Sequence, residues 1–220
     1  MIVAIDGPSG AGKSTVAKAV AKELGFSCLD TGAMYRAIAW RALQDGVALD
    51  DESALGVIAR TYDIAFGHVE GDPVPRRVFI GDDEVTDAIR TAEIDRAVSP
   101  VSAAPAVREA LLDQQRRIGN AGDYVVEGRD IGTVVFPDAA VKVFLTASDE
   151  ERAHRRVRQN VDRGIGSIDY DEVLADLRRR DAADSSRATA PLRHAVHIDS
   201  TAHYIEEVIE QICTLAREAR

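Results

Sequence analysis

Eight consecutive residues, Gly7-Pro8-Ser9-Gly10-Ala11-Gly12-Lys13-Ser14, constrain this chain more than any other feature. They follow the short apolar run Ile2 to Asp6. They precede Thr15 to Leu24, where Val16, Ala17, Val20, Ala21 and Leu24 recur at helical spacing. Strand, glycine loop and amphipathic helix in that order satisfy GxxxxGK[ST] in the context its mechanism needs. Glycine lets the backbone turn its N–H groups toward phosphate oxygens, Lys13 can reach the terminal phosphates, and the Ser14 hydroxyl can bind magnesium. The helix N-terminus adds a favourable potential for an anion. The segment predicts binding of a nucleoside triphosphate.

The rest of the chain continues the alternation of strand and helix. Phe26 to Leu29 reads as a second strand, followed by a helical stretch from Met34 to Leu43. The middle departs from it: Asp51 to Tyr62 is helical, Ile64 to Phe66 and Arg77 to Ile80 read as strands, and Gly81-Asp82-Asp83 supplies a turn. A helix is expected from Pro105 through Ile118, ended by Asn120 and Gly122. Tyr124 to Val126 and Val141 to Leu145 have the nearly continuous apolar form of strands covered on both faces. Ser148 with Glu151 predicts a capping box for a helix reaching about Val161, and a second helix spans roughly Tyr170 to Asp181. Val196 to Ile198 and a helix from Ala202 to Ala216 close the chain. With no repeat, low-complexity tract or exposed linker, one α/β domain with insertions is the expected organisation.

Composition narrows the partners. The 220 residues carry 37 acids against 27 bases, a formal charge of −10, which opposes sequence-independent binding to nucleic acid. Only Lys13, Lys18, Lys22 and Lys142 are lysines, so the other 23 bases are arginine, the side chain whose planar fork fits phosphate. Ten of them fall between 152 and 193 against seven acids, a local +3. Cys28 and Cys213 have no metal-ligand or redox spacing and read as reduced core residues, which suits the cytoplasm. The N-terminus lacks a basic leader, and no apolar stretch nears the roughly 18 residues of a membrane span. His194 and His197, three apart on an expected strand, face opposite sides and make a poor metal pair. Gly164-Ile165-Gly166 reads as a loop or hinge, and Trp40 as packing.

Other triphosphate chemistries fit less well. A guanine switch needs NKxD and DxxG, and neither string is present. Tyr124-Val125-Val126-Glu127 could end a strand in the magnesium-holding acid of an ATPase motor, but that leaves the arginines unexplained. Asp30-Thr31-Gly32-Ala33-Met34-Tyr35-Arg36 closes the second strand at the sheet edge where ligands collect, and Gly128-Arg129-Asp130 follows Glu127 in the same manner. Arg178-Arg179-Arg180 through Arg187 ends a helix and enters a loop finishing at Pro191. Transfer of a γ-phosphoryl between two anions needs mobile cations and exclusion of water, which an arginine-bearing lid supplies.

Together, GPSGAGKST, DTGAMYR, VREALLDQQR, EGRDIGTVVFPDA, the SDEERAHRR helix and RRRDAADSSRATAPL resemble the bacterial-type cytidylate kinases nearly end to end. The resemblance implies the α/β P-loop NTPase fold of nucleoside-monophosphate-kinase type, with a parallel five-stranded core sheet. The core would comprise 1–36, 105–157 and 188–220, with a monophosphate-binding insertion over 37–104 and a lid over 158–187. The activity it implies is ATP-dependent phosphorylation of CMP and dCMP by a monomer using magnesium, held near Ser14. The runner-up is another small kinase, acting on UMP or shikimate; a regulatory module that has lost catalysis is a more distant alternative.

Carried over residue by residue, the resemblance gives the ATP phosphates to Gly7, Pro8, Ser9, Gly10, Ala11, Gly12, Lys13, Ser14 and Thr15. The monophosphate pocket takes Thr31, Tyr35 and Arg36, the cytosine ring Ser99 and Arg108, and the CMP phosphate and base Arg129 and Asp130. Arg180, Asp184 and Arg187 match lid positions at sugar and phosphates. Lys13, Arg129, Arg180 and Arg187 are the expected catalytic group. Family proteins often have serine where Thr31 stands, which keeps the hydroxyl, and some carry further arginines at the positions of Ala183 and Ser186.

Overall fold

The computed structural model describes residues 1–185 and 195–220. Its central strand is β1 (Ile2–Asp6), whose Val3, Ala4 and Ile5 are fully buried. On one side β1 pairs in parallel with β6 (Tyr124–Gly128), with Asp6 opposite Gly128. On the other it pairs in parallel with β7 (Val141–Thr146), with Asp6 opposite Phe144. β2 (Ser27–Asp30) and β8 (Val196–Asp199) complete a five-stranded parallel sheet in the order β2-β6-β1-β7-β8. This register sets the loop after β1 beside the loop after β6, so Gly7 and Arg129 become neighbours by strand pairing alone.

By its contacts the chain forms two units, Met1–Cys28 with Gly122–Arg220, and Leu29–Ala121. In the first, α1 (Lys13–Leu24) packs on α8 (Ile205–Glu218) and β6. α6 (Asp149–Arg163) packs on α7 (Tyr170–Ser185) through Ala153, Val173 and Leu177, with Val157, Tyr170 and Leu174 around them. In the second, α2 (Thr31–Gln44) packs on α4 (Ala92–Ala103) and α3 (Glu52–Thr61) on α5 (Pro105–Gly119). β3 (Ile64–Gly67), β4 (Arg77–Ile80) and β5 (Asp83–Glu84) form a separate antiparallel sheet. Buried Gln114 joins α5 to this layer, accepting from the Ile64 N–H at 3.0 Å and donating to the Ala59 and Tyr62 carbonyls. This unit takes in α2 and α5 as well as the 37–104 stretch.

Two local differences from the sequence reading have physical causes. Helix α4 was not foreseen: Pro100 lies inside it and costs one backbone bond, yet buried Ile94, Ala97 and Val101 share a face and the Thr91 hydroxyl caps the Ile94 N–H. At Ser148 only half of the capping box forms. Its hydroxyl accepts from the Glu151 N–H, but the Glu151 carboxylate turns to Arg155 at 2.9 Å, a charged partner preferred over a backbone amide. Among the described residues no helix is long and apolar enough to cross a membrane. Cys28 and Cys213 are buried and unbridged.

Candidate active site

Close packing shapes the phosphate-binding loop before any ligand is considered. A Cβ on Gly7 would stand 1.9 Å from the Leu145 carbonyl oxygen, so only glycine fits where β1 leaves the sheet. Gly10 has φ +79°, and a Cβ there would come 3.1 Å from the Arg152 Cβ. Gly12 precedes α1 and supplies no side-chain cap, which suits a helix N-terminus that receives an anion. Lys13, nearly buried, donates from Nζ to the Pro8 carbonyl at 2.8 Å.

The loop carbonyls, which would repel a phosphate, are engaged by cations. Arg129 donates to the Gly7 carbonyl at 3.2 Å, Arg152 to that of Ser9 at 2.9 Å, and Arg155 to that of Ala11 at 3.4 Å. Arg156 reaches the Ser9 hydroxyl at 3.3 Å. Buried Ser200 also contacts the Ala11 carbonyl and accepts from Arg155 at 3.0 Å. Arg152, Arg155 and Arg156 were not singled out in the sequence, although their spacing along the SDEERAHRR helix places them on one face.

Beneath the loop, buried Asp6 accepts from the Ile131 and Gly132 N–H groups at 2.7 and 2.8 Å, fixing the turn after Gly128-Arg129-Asp130. Burial pushes the Asp6 carboxyl above the ordinary aspartate range, against the pull of those two donors. The Asp130 carbonyl closes the following turn by accepting from Val134 at 2.8 Å. Arg129 also pairs with Asp184 of α7 at 3.1 Å, so two residues assigned to the same substrate meet. Arg180 pairs with Asp176 at 2.9 Å and is largely covered. Glu127, weighed in the sequence only as an ATPase acid, is buried on β6 opposite Ile5. Arg187, Ser186 and His194 lie outside the described residues.

The remaining assignments share the Leu29–Ala121 unit. Asp30 caps α2 by accepting from the Ala33 N–H at 2.9 Å and faces Arg90 at 3.5 Å, which sets buried Thr31 and half-buried Tyr35 on the first turns. Arg36 pairs with Asp95 of α4 at 2.6 Å and donates to the Ile89 carbonyl at 3.3 Å. Ser99 lies on the same α4; its carbonyl accepts from the Ser102 hydroxyl at 3.0 Å, and the Ser102 carbonyl is reached by Arg108 of α5 at 3.5 Å. Sequence reasoning missed Asp95 because it missed the helix that carries it.

Comparison with known proteins agrees along the whole length. The cytidylate kinase family profile matches residues 3–218. A cytidylate kinase of Saccharophagus degradans is 47% identical over 220 residues, covering 99% of this chain and 97% of that protein. One of Pseudomonas aeruginosa is 48% identical over 214 residues, covering 96% and 93%. A solved structure of an uncharacterized Eubacterium ventriosum protein shares the fold, with a TM-score of 0.52 at 12% identity over 100% of this chain and 99% of the other. With a phosphate loop, an adjoining Gly-Arg-Asp turn and this agreement from end to end, the chain belongs to the cytidylate kinase family of phosphotransferases.

Proposed function

We propose that the chain moves the γ-phosphoryl group of MgATP onto CMP and dCMP, giving ADP with CDP or dCDP. A terminal oxygen of the acceptor phosphate forms the new bond to the γ-phosphorus as the bond to the β–γ bridging oxygen breaks. That oxygen is already ionised, so no dedicated base is needed and catalysis rests on positioning and charge neutralisation. The observation that carries this reading is Arg129, which holds the Gly7 carbonyl of the nucleotide loop and Asp184 at once. A cation so placed suits a group passing between two phosphates.

Magnesium belongs to the donor substrate, where it neutralises charge on the transferring phosphates; Ser14, exposed on the first turn of α1, is the residue that would hold it. Gly7 to Thr15 bind ATP, and Lys13 steadies its terminal phosphates. Thr31, Tyr35 and Arg36 take the acceptor phosphate end. Arg180, Asp184 and Arg187 act from a lid over 158–187, and 37–104 serves as the acceptor-binding insertion. Cytosine presents acceptors at N3 and O2 and a donor at N4, whereas uracil reverses N3 and the 4-position. An arginine at N3 and O2, Arg108, with Ser99 and Asp130 near the exocyclic amine, therefore favours cytosine, since a wrong base leaves buried polar groups unpaired. The reading includes a monomer in the cytoplasm, serving pyrimidine nucleotide metabolism without a nucleic-acid partner.

Purified chain with MgATP and a panel of CMP, dCMP, UMP, AMP and shikimate tests this directly. Turnover of both cytidine nucleotides, with UMP weaker, is expected. Absence of cytidine-nucleotide turnover would overturn it.

A further inference from the structure

Arg152 stands out because its side chain is only 3% exposed yet joins three separate pieces of chain. It donates to the Ser9 carbonyl of the phosphate loop at 2.9 Å and to the Ala147 carbonyl at 3.2 Å. It also pairs with Asp149 of its own helix and, at 2.6 Å, with Asp181 of α7. Burying an ion among carbonyls and carboxylates is costly, and an apolar residue of similar volume is often neutral or better for stability. What such an ion supplies is fixed geometry between groups that apolar packing would leave free to slide.

Helix α7 is otherwise fastened to α6: Arg178 bonds Asp149 at 3.0 Å and Glu150 at 3.3 Å, and the His154 and Tyr170 rings lie 4.7 Å apart. α7 also carries Arg180 and Asp184. Three residues beyond Asp181, Asp184 meets Arg129, which itself grips the loop at Gly7. Among the described residues, loop and helix are thus connected at the Gly7 carbonyl through Arg129 and at the Ser9 carbonyl through Arg152, and of these two arginines Arg152 is the buried one.

We infer that Arg152 is a positioning residue that registers α7 against the phosphate loop. A nucleotide that fixes Ser9 also fixes Asp181, and with it Arg180 and Asp184. The role of α7 in turnover rests on the proposed function; the mechanical coupling does not.

The test uses the full chain and its variants Asp181→Asn, Arg152→Lys, Arg152→Met and the double change Arg152→Met with Asp181→Asn. In the unaltered protein ATP should slow amide exchange in both 7–15 and 170–185. Asp181→Asn leaves Ser9 held, so ATP should still protect the loop but no longer 170–185. Its kcat should fall about 10-fold with KM for ATP within about twofold. Arg152→Met should also raise KM for ATP, and the double variant should be no worse. Arg152→Lys keeps a charge but cannot serve both acceptors, so it should recover melting temperature without recovering kcat. The proposal is overturned if ATP leaves 170–185 unprotected in the unaltered protein, or if the double variant multiplies the single losses. It also fails if Asp181→Asn lowers only the melting temperature. Should Arg152→Met not fold, Asp181→Asn decides alone. Should the unaltered protein phosphorylate no cytidine nucleotide, the functional reading fails while the exchange result still decides the coupling.

Discussion

The phosphate loop and the Arg36 region both hold arginine between main-chain carbonyls and carboxylates, but only at the loop do the carbonyls belong to the nucleotide motif itself. Around the loop, Arg129, Arg152 and Arg155 donate to main-chain carbonyls that a ligand cannot replace. In the Leu29–Ala121 unit, Arg36 donates to the Ile89 carbonyl at 3.3 Å but sits closer, at 2.6 Å, to the Asp95 carboxylate, a group that an incoming phosphate can imitate. On the proposed function, the carbonyl contacts of the first are scaffold and the carboxylate of the second is a partner awaiting exchange. Scaffold arginines should therefore govern rate through geometry, and the exchangeable one should govern acceptor affinity.

The largest effect expected from this contrast is that of Lys13→Ala, which removes the one lysine of the loop; kcat/KM should drop on the order of 10³-fold. Retained turnover in a coupled assay would move catalysis away from the loop. Next, Arg36→Ala should raise KM for CMP by about 10- to 100-fold, the loss of a charge-assisted contact, with KM for ATP little changed. Equal damage to both substrates would erase the contrast. Asp95→Asn weakens the pair that a phosphate must displace, so KM for CMP should fall about threefold; a rise would make Asp95 an aligning residue instead.

A smaller effect concerns α6 and α7. Hydrogen bonds from Arg178 and then Arg152 hold the Asp149 carboxyl below its ordinary range. A depressed folded value means its contribution is present above the unfolded value and lost as pH falls through the folded one, below about pH 4. Melting temperatures of the unaltered protein and Asp149→Asn should therefore differ at pH 7 and draw together as the pH falls below about 4. A gap that stays constant with pH would show that the charge is not what matters. Smallest of all, Thr31→Ser keeps the hydroxyl and should change kcat/KM less than about twofold.

How much the residues disclose in advance follows the same division. Gly7 to Ser14 is contiguous, so its chemistry can be read from eight letters, and β1 and α1 follow from apolar spacing. Arg36 is legible from its place just after the second strand at the sheet edge, but Ser99 and Arg108 are legible only through resemblance, because α2, α4 and α5 must pack before those side chains share a unit. Asp95 stayed hidden behind Pro100, which masks the helix. Arg152 and Asp181 look like ordinary charges on helix surfaces. Nothing in their spacing says that one is buried against a carbonyl 143 residues earlier in the chain.

That separation has a consequence for the order in which the protein is made. The carbonyls of Gly7, Ser9 and Ala11 wait for arginines 122, 143 and 144 residues downstream. Contacts of such length form late, after the loop-closure entropy between them has been overcome. A chain growing from its N-terminus therefore exposes its nucleotide motif early but gives it a working shape only once α6 has been synthesised. Fragments ending before Arg152 should carry the full phosphate-loop sequence and still bind ATP poorly.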